Sequence, residues 1–475
     1  MISARLQRLK YVIGDYVSSN IAIFLYNFTR FDFSLNRMIE TGFHRKEDFL
    51  LSENVMLGQL VFPIVMMGVY YLSGYYTEVF RKSRMQELAS TLKSAFVVAM
   101  IVFFTAMIND LVTERVYNYE LILLLFGLVF GCVFIVRSFI THNSQWNLYH
   151  GKWKFNTLII GAGNKALDFE KRLLTANRIL GYNIVGMVAI PGEKNSEAAD
   201  KPVYQLDEIA DVCATNDIKE LIVIPSNQDV KNILDAINRL FALGLPIKIS
   251  PDMYNILVSK VRLFNLQGEP LVDISGSNMT PGECNVKRVA DCVVSALSLL
   301  VLSPVFLVIA IMVKRESKGP VFYKQERIGY RNKPFMIYKF RTMRKNAEED
   351  GVPRLSSDND ERITKIGRFM RKYRIDELPQ FWNVLKGDMS IVGPRPERQY
   401  YIDQITQRAP FYTLLHQVRP GITSMGMVKF GYAKNVDEMI ERMKYDLMYL
   451  ENMSLLNDMK IMAYTVETVL TGKGI

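Results

Sequence analysis

Residues 374–397, RIDELPQFWNVLKGDMSIVGPRPE, set two carboxylates side by side, Asp376 and Glu377, in a region rich in cations. Lys339, Arg341, Arg371, Lys372, Arg374 and Arg395 all lie within the same part of the chain. Such a field suits phosphate, which takes charge-assisted hydrogen bonds and fits the planar fork of arginine. An aspartate is ionised at neutral pH and needs no base, so Asp376 can attack phosphorus directly and form an aspartyl phosphate. Its neighbour Glu377 can hold Mg²⁺ on a diphosphate, offsetting the repulsion between an anionic nucleophile and an anionic target. Adjacent residues on a helix diverge by about 100°, so the two acids suit two different tasks. The same dipeptide also reads as a helix start, with Asp376 as N-cap and Glu377 and Pro379 in the first turn. In VGPRP, Pro394 and Pro396 stiffen the backbone on either side of Arg395. In KRVAD, Arg288 and Asp291 stand at i and i+3, where a surface ion pair is the simplest expectation.

The elements that must carry these residues begin in a membrane. Residues 55–76, 92–109 and 119–136 are long and almost uncharged, and each can cross a hydrocarbon core about 30 Å thick. Residues 11–28 form a weaker fourth candidate, because Asp15, Ser18, Ser19 and Asn20 raise the cost of insertion. Arg5, Arg8 and Lys10 precede the first span, Arg81, Lys82 and Arg84 separate the second from the third, and Arg137, Lys152 and Lys154 follow the fourth. The positive-inside rule then places both the N-terminus and everything after residue 145 in the cytoplasm. The charged stretch 36–49 would lie outside, as a helix on the surface.

A soluble α/β segment follows, over residues 152–250. FNTLIIGAGNKA (155–166) reads as buried strand, glycine turn and helix start, and IVGMVAI (184–190) and ELIVIP (220–225) read as further parallel strands. The pattern is that of a nucleotide fold, with Gly161 and Gly163 at the phosphate turn. The tip of the second strand offers no acid for a ribose hydroxyl except Glu193, after a proline and a glycine. A Rossmann-like module without the ligand is therefore the favoured expectation. Residues 251–281 read as a linker with one short strand.

The apolar run 293–313 is long enough to span, yet cations flank both ends: Lys287 and Arg288 before, Lys314, Arg315 and Lys318 after. Ser303 and Pro304 break it in the middle. A helix of about 285–314 that enters one leaflet and returns to the same side satisfies both features. The basic, aromatic stretch 323–345 after it suits a surface touching anionic lipid.

Residues 285–475 resemble the bacterial sugar transferase family, the monotopic phosphoglycosyl transferases that act on polyprenyl phosphate. The matching stretches, in order, are KRVAD, the apolar run with SP, YKQERIGY, KFRTM, DELPQFWNVLKGDMSIVGPRPE, VRPGIT and YDLMYLENMSLLNDMKIM. The preceding spans and Rossmann-like module look like the large form of the family. The resemblance implies transfer of a sugar-1-phosphate from a UDP-sugar to undecaprenyl phosphate with release of UMP. It would make Asp376 the nucleophile and Glu377 the Mg²⁺ ligand. Arg371, Arg395, Lys339, Arg341, Pro394, Pro396 and Asp446 would line the substrate site. Lys287, Arg288, Asp291, Ser303 and Pro304 would position and bend the membrane helix. One departure is visible: after RPGIT the family often continues with Gly-Trp, and this chain has SMGMVKFGY.

Composition agrees with that picture. Hydrophobic residues reach 49%, and 58 Lys and Arg against 48 Asp and Glu give a charge of +10, suited to anionic lipid or a nucleotide. The cysteines (Cys132, Cys213, Cys284, Cys292) and the histidines are scattered without metal spacing, which argues against zinc chemistry. The expected protein is an α plus α/β membrane enzyme: four helices (1–145), the Rossmann-like module (152–250), the linker, and a mostly α catalytic domain (282–475). It would sit in the bacterial inner membrane with its active site on the cytoplasmic face and start a surface glycan. Membrane lipid is an expected partner, a second copy is an allowed one, and nucleic acid is not expected. The rival reading is a membrane-anchored, nucleotide-sensing regulator of a polysaccharide system.

Overall fold

A computed structural model describes residues 4–33, 39, 43–109, 115–175, 181–193, 201–226, 230–249, 272–273, 279–344 and 360–471. The chain divides into two compact units: Met1–Lys154 with Asn177–Gly181 and Thr280–Val286, and Phe155–Ala176 with Tyr182–Met279 and Lys287–Ile475.

The first unit is built from α1 (Ala4–Phe33), the short α2 (Lys46–Leu50), α3 (Glu53–Leu72), α4 (Arg84–Asn109) and α5 (Arg115–Tyr149). Three helices are long and apolar enough to cross a membrane, over Glu53–Leu72, Glu87–Phe104 and Tyr119–Tyr149. Helix α1 packs along them and hides its polar residues: Asp15, Ser18 and Ser19 are fully buried. Arg137 of α5 donates to both oxygens of Asp15, Nε to Oδ1 at 2.7 Å and Nη2 to Oδ2 at 2.8 Å. Its guanidinium lies 4.0 Å and 3.5 Å from the ring centroids of Tyr70 and Tyr75. The Tyr76 hydroxyl also donates to Asp15 (2.8 Å), while Glu87 accepts from Tyr75 (2.6 Å) and Thr141 (2.8 Å). Buried charges survive only when paired and hydrogen-bonded, and this cluster meets both conditions.

The second unit opens with a six-stranded sheet of order β3-β2-β1-β4-β5-β6. Its strands are β1 (Phe155–Ile160), β2 (Tyr182–Ala189), β3 (Val203–Gln205), β4 (Glu220–Val223), β5 (Ile247–Ile249) and β6 (Val272–Asp273). Strands β1 to β5 pair in parallel and β6 pairs antiparallel to β5. Most of the expected linker falls outside the described residues; β6 and residues 279–281 are the parts of it that are described. The two-residue period of a strand sends successive side chains to opposite faces. Leu158, Ile160, Leu221 and Val223 accordingly pack with Ile233, Ile237 and Leu240 of α8, whereas Ile159, Met187 and Ile222 pack with Ala166 and Phe169 of α6. Here α6 is Asn164–Thr175, α7 is Ile209–Thr215 and α8 is Val230–Ala242.

The rest of the unit is mostly helical. Helices α9 (Pro281–Val301) and α10 (Ser303–Glu316) meet at a 60° bend. Pro304 stands in the first turn of α10, where a missing amide proton costs nothing, and the Ser303 hydroxyl donates to the carbonyl of Leu300 at 2.8 Å. The hairpin of β7 (Phe322–Ile328) and β8 (Pro334–Phe340) follows. Then come α11 (Lys365–Lys372), a single 3₁₀ turn (Ile375–Glu377), α12 (Gln380–Lys386) and β9 (Ser390–Val392). Helix α13 (Gln399–Arg408), the turns of Pro410–Gln417, β10 (Gly421–Thr423), α14 (Met425–Lys429), α15 (Val436–Glu451) and α16 (Leu455–Leu470) complete the fold.

Candidate active site

Thr364 caps α11 by accepting from the Gly367 amide at 3.0 Å. After Tyr373 the chain must reverse, and Arg374 does this at φ +54, in the left-handed region that a non-glycine residue seldom enters. The reversal turns the 3₁₀ turn inward, so Asp376 and Glu377 are 7% and 2% exposed. Neither acid caps a helix: α12 begins after Pro379 and has no side-chain cap.

The two carboxylates have opposite surroundings. Glu377 is fully engaged, with Oε1 accepting from Lys339 (2.7 Å) and Arg395 (3.2 Å). Its Oε2 accepts from Arg374 at 3.0 Å (Nε) and 2.7 Å (Nη2). Asp376 makes no hydrogen bond among the described residues, although Lys339, Arg371 and Arg374 act on it electrostatically. Burial therefore wins at Asp376 and pushes its carboxyl up to about 6. Burial also opposes ionisation of Glu377, but Arg374, Lys339 and Arg395 outweigh it and hold that carboxyl well below the usual range. Burial likewise pulls the Lys339 ammonium down, against the attraction of Glu377. Four cations facing two acids leave a positive surplus suited to a diphosphate.

Arg395 reaches this cluster because β9 and β10 pair in parallel beneath it. The Gly393 amide donates to Thr423 O (3.0 Å) and the Gly421 amide to Pro394 O (2.9 Å). A Cβ on Gly393 would stand 2.3 Å from Arg419 O, so the strands could not approach with any other residue there. The Tyr432 ring centroid lies 5.0 Å from the Arg395 guanidinium carbon and 5.9 Å from that of Arg374, both within cation–π range. Asp446 accepts from the Gly426 amide at 2.7 Å, bracing the first turn of α14. Burial raises its carboxyl above the ordinary range.

The remaining sequence-derived residues fall in two places. Arg371 stands by the acids and donates to Thr342 Oγ1 (3.0 Å). Arg341 lies elsewhere: its guanidinium caps the C-terminus of α10, donating to the carbonyls of Ser317 (2.7 Å) and Lys318 (3.1 Å). Lys287 donates to Asp458 (2.6 Å) and Val392 O (3.0 Å), and Arg288 to the carbonyls of Val384 (2.7 Å) and Leu385 (3.1 Å). Asp291 accepts from the Ser390 hydroxyl at 2.6 Å, so Arg288 and Asp291 bind the domain and not each other. Pro396 O accepts from Arg327 (3.2 Å), which also pairs with Glu397 (2.9 Å); Arg442 is the second partner of Glu397. Sequence reasoning missed this Arg327, Glu397 and Arg442 cluster, along with Tyr432. Glu397 directly follows the PRP motif, but its partners lie 70 and 45 residues away.

Among the described residues, no group of three or more His, Cys, Asp or Glu side chains could hold a metal alone. Mg²⁺ usually takes only one or two protein carboxylates, the rest of its shell being phosphate and water. The oxygens of Asp376 are open for that protein share, and Glu377 beside it could join only by giving up one of its cation partners. An unpaired buried carboxylate in a cationic pocket is equipped to attack phosphorus.

The chain matches the family described as bacterial sugar transferase over residues 283–472, and that described as CoA-binding domain over residues 71–251. It is 32% identical to the UDP-glucose:undecaprenyl-phosphate glucose-1-phosphate transferase of Escherichia coli (strain K12), over 70% of this chain and 71% of that protein. It is 40% identical to the UDP-N-acetylgalactosamine-undecaprenyl-phosphate N-acetylgalactosaminephosphotransferase of Aeromonas hydrophila over 48% of this chain, spanning only about half (53%) of that relative. A galactosyl transferase of Streptococcus agalactiae serotype III is 27% identical over 86% of this chain and 91% of its own length.

Proposed function

Since this chain belongs to the bacterial sugar transferase family, we propose that it transfers a sugar-1-phosphate from a UDP-sugar to undecaprenyl phosphate, releasing UMP. The product would begin an exopolysaccharide, capsule or O-antigen. The observation that carries this reading is the contrast between the acids: Asp376 without a hydrogen bond, Glu377 locked by three cations.

The exchange runs in two displacements. In the first, an Asp376 oxygen attacks the phosphorus that bears the sugar; the phosphoanhydride bond breaks and UMP leaves with the electron pair. In the second, an oxygen of undecaprenyl phosphate attacks the same phosphorus, and Asp376 departs as carboxylate. One phosphoanhydride is broken and one is made, so the exchange is close to balanced and reversible by UMP. Arg371, Arg374 and Arg395 hold the diphosphate, and Lys339 keeps Glu377 ionised and oriented. Glu377, on giving up one of its cation partners, would hold Mg²⁺ together with the diphosphate, and the ion would supply neutralisation of the charge on the leaving UMP.

Four spans and a re-entrant hairpin complete the proposal. Two contacts pair α1 antiparallel with α5, Tyr11 to Thr141 and Asp15 to Arg137, which supports α1 as a fourth crossing. The 60° bend at Ser303 and Pro304, with Leu300, Val301 and Leu307 exposed on its apolar surface, supports a hairpin entering one leaflet. Cations at both ends of that hairpin support a cytoplasmic site at the inner membrane. The proposed domain boundaries are 1–145, 152–250 and 282–475.

The test is UMP release from a panel of UDP-sugars by purified protein with Mg²⁺ and undecaprenyl phosphate, beside Asp376→Asn. Release that requires lipid and disappears in the variant supports the reading. An active Asn variant removes the mechanism.

A further inference from the structure

The Rossmann-like module assembles a dinucleotide turn in the usual position. Strand β1 ends at Ile160, the glycine turn follows, and α6 begins at Asn164. The strand order reverses between β1 and β4, and ligands of such sheets bind in the crevice at that switch point. Gly161 sits at φ +127, where a Cβ would lie 2.2 Å from Ile224 O; a Cβ on Gly163 would meet Ser226 Oγ at 2.3 Å. Both glycines are therefore required by the packing of this turn against the segment after β4.

The crevice is filled from within. Glu193 Oε2 accepts from the Ala162 amide (3.2 Å), on the β1 side of the switch point. Its Oε1 accepts from the Ser226 amide (2.5 Å), on the β4 side. The Ser226 hydroxyl in turn accepts from the Lys165 amide at 3.3 Å, in the first turn of α6. Asn232 of α8 donates to Pro191 O (3.0 Å) and anchors the loop that carries Glu193. An acid just beyond β2 points outward to a ribose hydroxyl in dinucleotide-binding sheets. Here it turns inward onto the amides that would hold the phosphate.

We propose that Glu193 is a built-in anion standing where a dinucleotide phosphate would stand, so that this module serves as a ligand-free brace and not as a nucleotide sensor. An entering pyrophosphate would compete for the same amides and face a carboxylate at hydrogen-bonding distance from them. What the module braces is visible in its core: Leu414, from the turns of Pro410–Gln417, packs against the cluster of Leu158, Leu221 and Ile237. Those turns lead directly into β10, which pairs with β9 next to Arg395. The inference is independent of the transferase reading, because its readouts are binding and stability.

The experiment uses full-length protein in detergent, titrated with NADH by fluorescence and with CoA by calorimetry, next to Glu193→Ala and Glu193→Gln. Wild type is expected to show no saturable binding of either at millimolar concentration, and a thermal midpoint that moves with inorganic phosphate only as far as its catalytic pocket responds. Glu193→Ala frees both amides, and its midpoint is expected to rise further than that of wild type as phosphate is added. Glu193→Gln keeps the shape and one acceptor, so it serves if the alanine variant does not fold, with a smaller rise expected. Saturable NADH or CoA binding by wild type overturns the proposal. So does a phosphate response no greater in the folded variant than in wild type.

Discussion

Arg374 and Glu377 close on each other across one turn: the arginine backbone is left-handed at φ +54, and its guanidinium returns to Glu377 Oε2 at 2.7 Å. Asp376, between them, is left without a hydrogen bond among the described residues. The strained residue thus separates the roles of two adjacent acids.

Replacing Arg374 tests both parts of that arrangement. Arg374→Ala leaves a buried carboxylate short of one partner and should lose about 3–5 kcal/mol. Arg374→Gly loses the same pair but relieves the left-handed backbone, and should recover roughly 1 kcal/mol of that loss. Thermal midpoints in detergent check this, and equal midpoints for the two variants would show that the backbone is unstrained.

Asp376 should set a pH limit. Its carboxyl is raised to about 6 by burial, and only the ionised form attacks phosphorus, so UMP release should climb as pH passes upward through about 6. The folded state binds this proton more tightly than the unfolded chain, so stability falls as pH rises from about 4 to about 6. Asp376→Asn lacks that fall. The variant should therefore match wild type near pH 4 and exceed it by roughly 3 kcal/mol above pH 6, from a shift of roughly two units. A midpoint difference that is constant from pH 4 to pH 8 would refute the assignment.

The Asp15 and Arg137 pair should hold the helical unit together. With side chains 0% and 1% exposed, removing one partner strands a buried charge. Asp15→Asn should cost about 3–5 kcal/mol, and a double replacement by leucines should regain much of it, because the desolvation cost goes with the charges. Heating followed by measurement of the monodisperse fraction decides; a double variant no better than the single one would mean that the pair is net stabilising.

Gly393→Ala should weaken activity without touching an acid. The added methyl forces β9 from β10 and displaces Arg395, so the KM for UDP-sugar should rise more than kcat falls. Gly431→Ala is the control: its φ of +92 strains the backbone, which that of Gly393 does not, and a Cβ there meets nothing within 4 Å. Equal kinetic effects from both variants would mean that the Gly393 clash with Arg419 O is not what displaces Arg395.

Much of this was legible along the chain. The run FNTLII alternates between two cores as its period requires, and the three apolar helices announce themselves by length and composition. Asp376, Glu377 and their cations stood out because charge and adjacency are local properties. Arg341 did not separate from those cations in the sequence, and the fold alone assigns it to the end of α10.

Other choices had no local signature. Asp15 read as a cost to insertion until Arg137, 122 residues on, supplied its partner. Glu193 read as a poor ribose acid until the loop after β2 turned it toward Ala162 and Ser226. Nor does the sequence say which of two adjacent carboxylates is tied and which is open. That depends on Lys339 and Arg395, which lie 38 and 18 residues from Glu377 and arrive on β8 and on the loop after β9. A carboxylate's charge belongs to its residue type. Its partners, and with them its proton affinity and its freedom to react, are set by distances that only the packed chain defines.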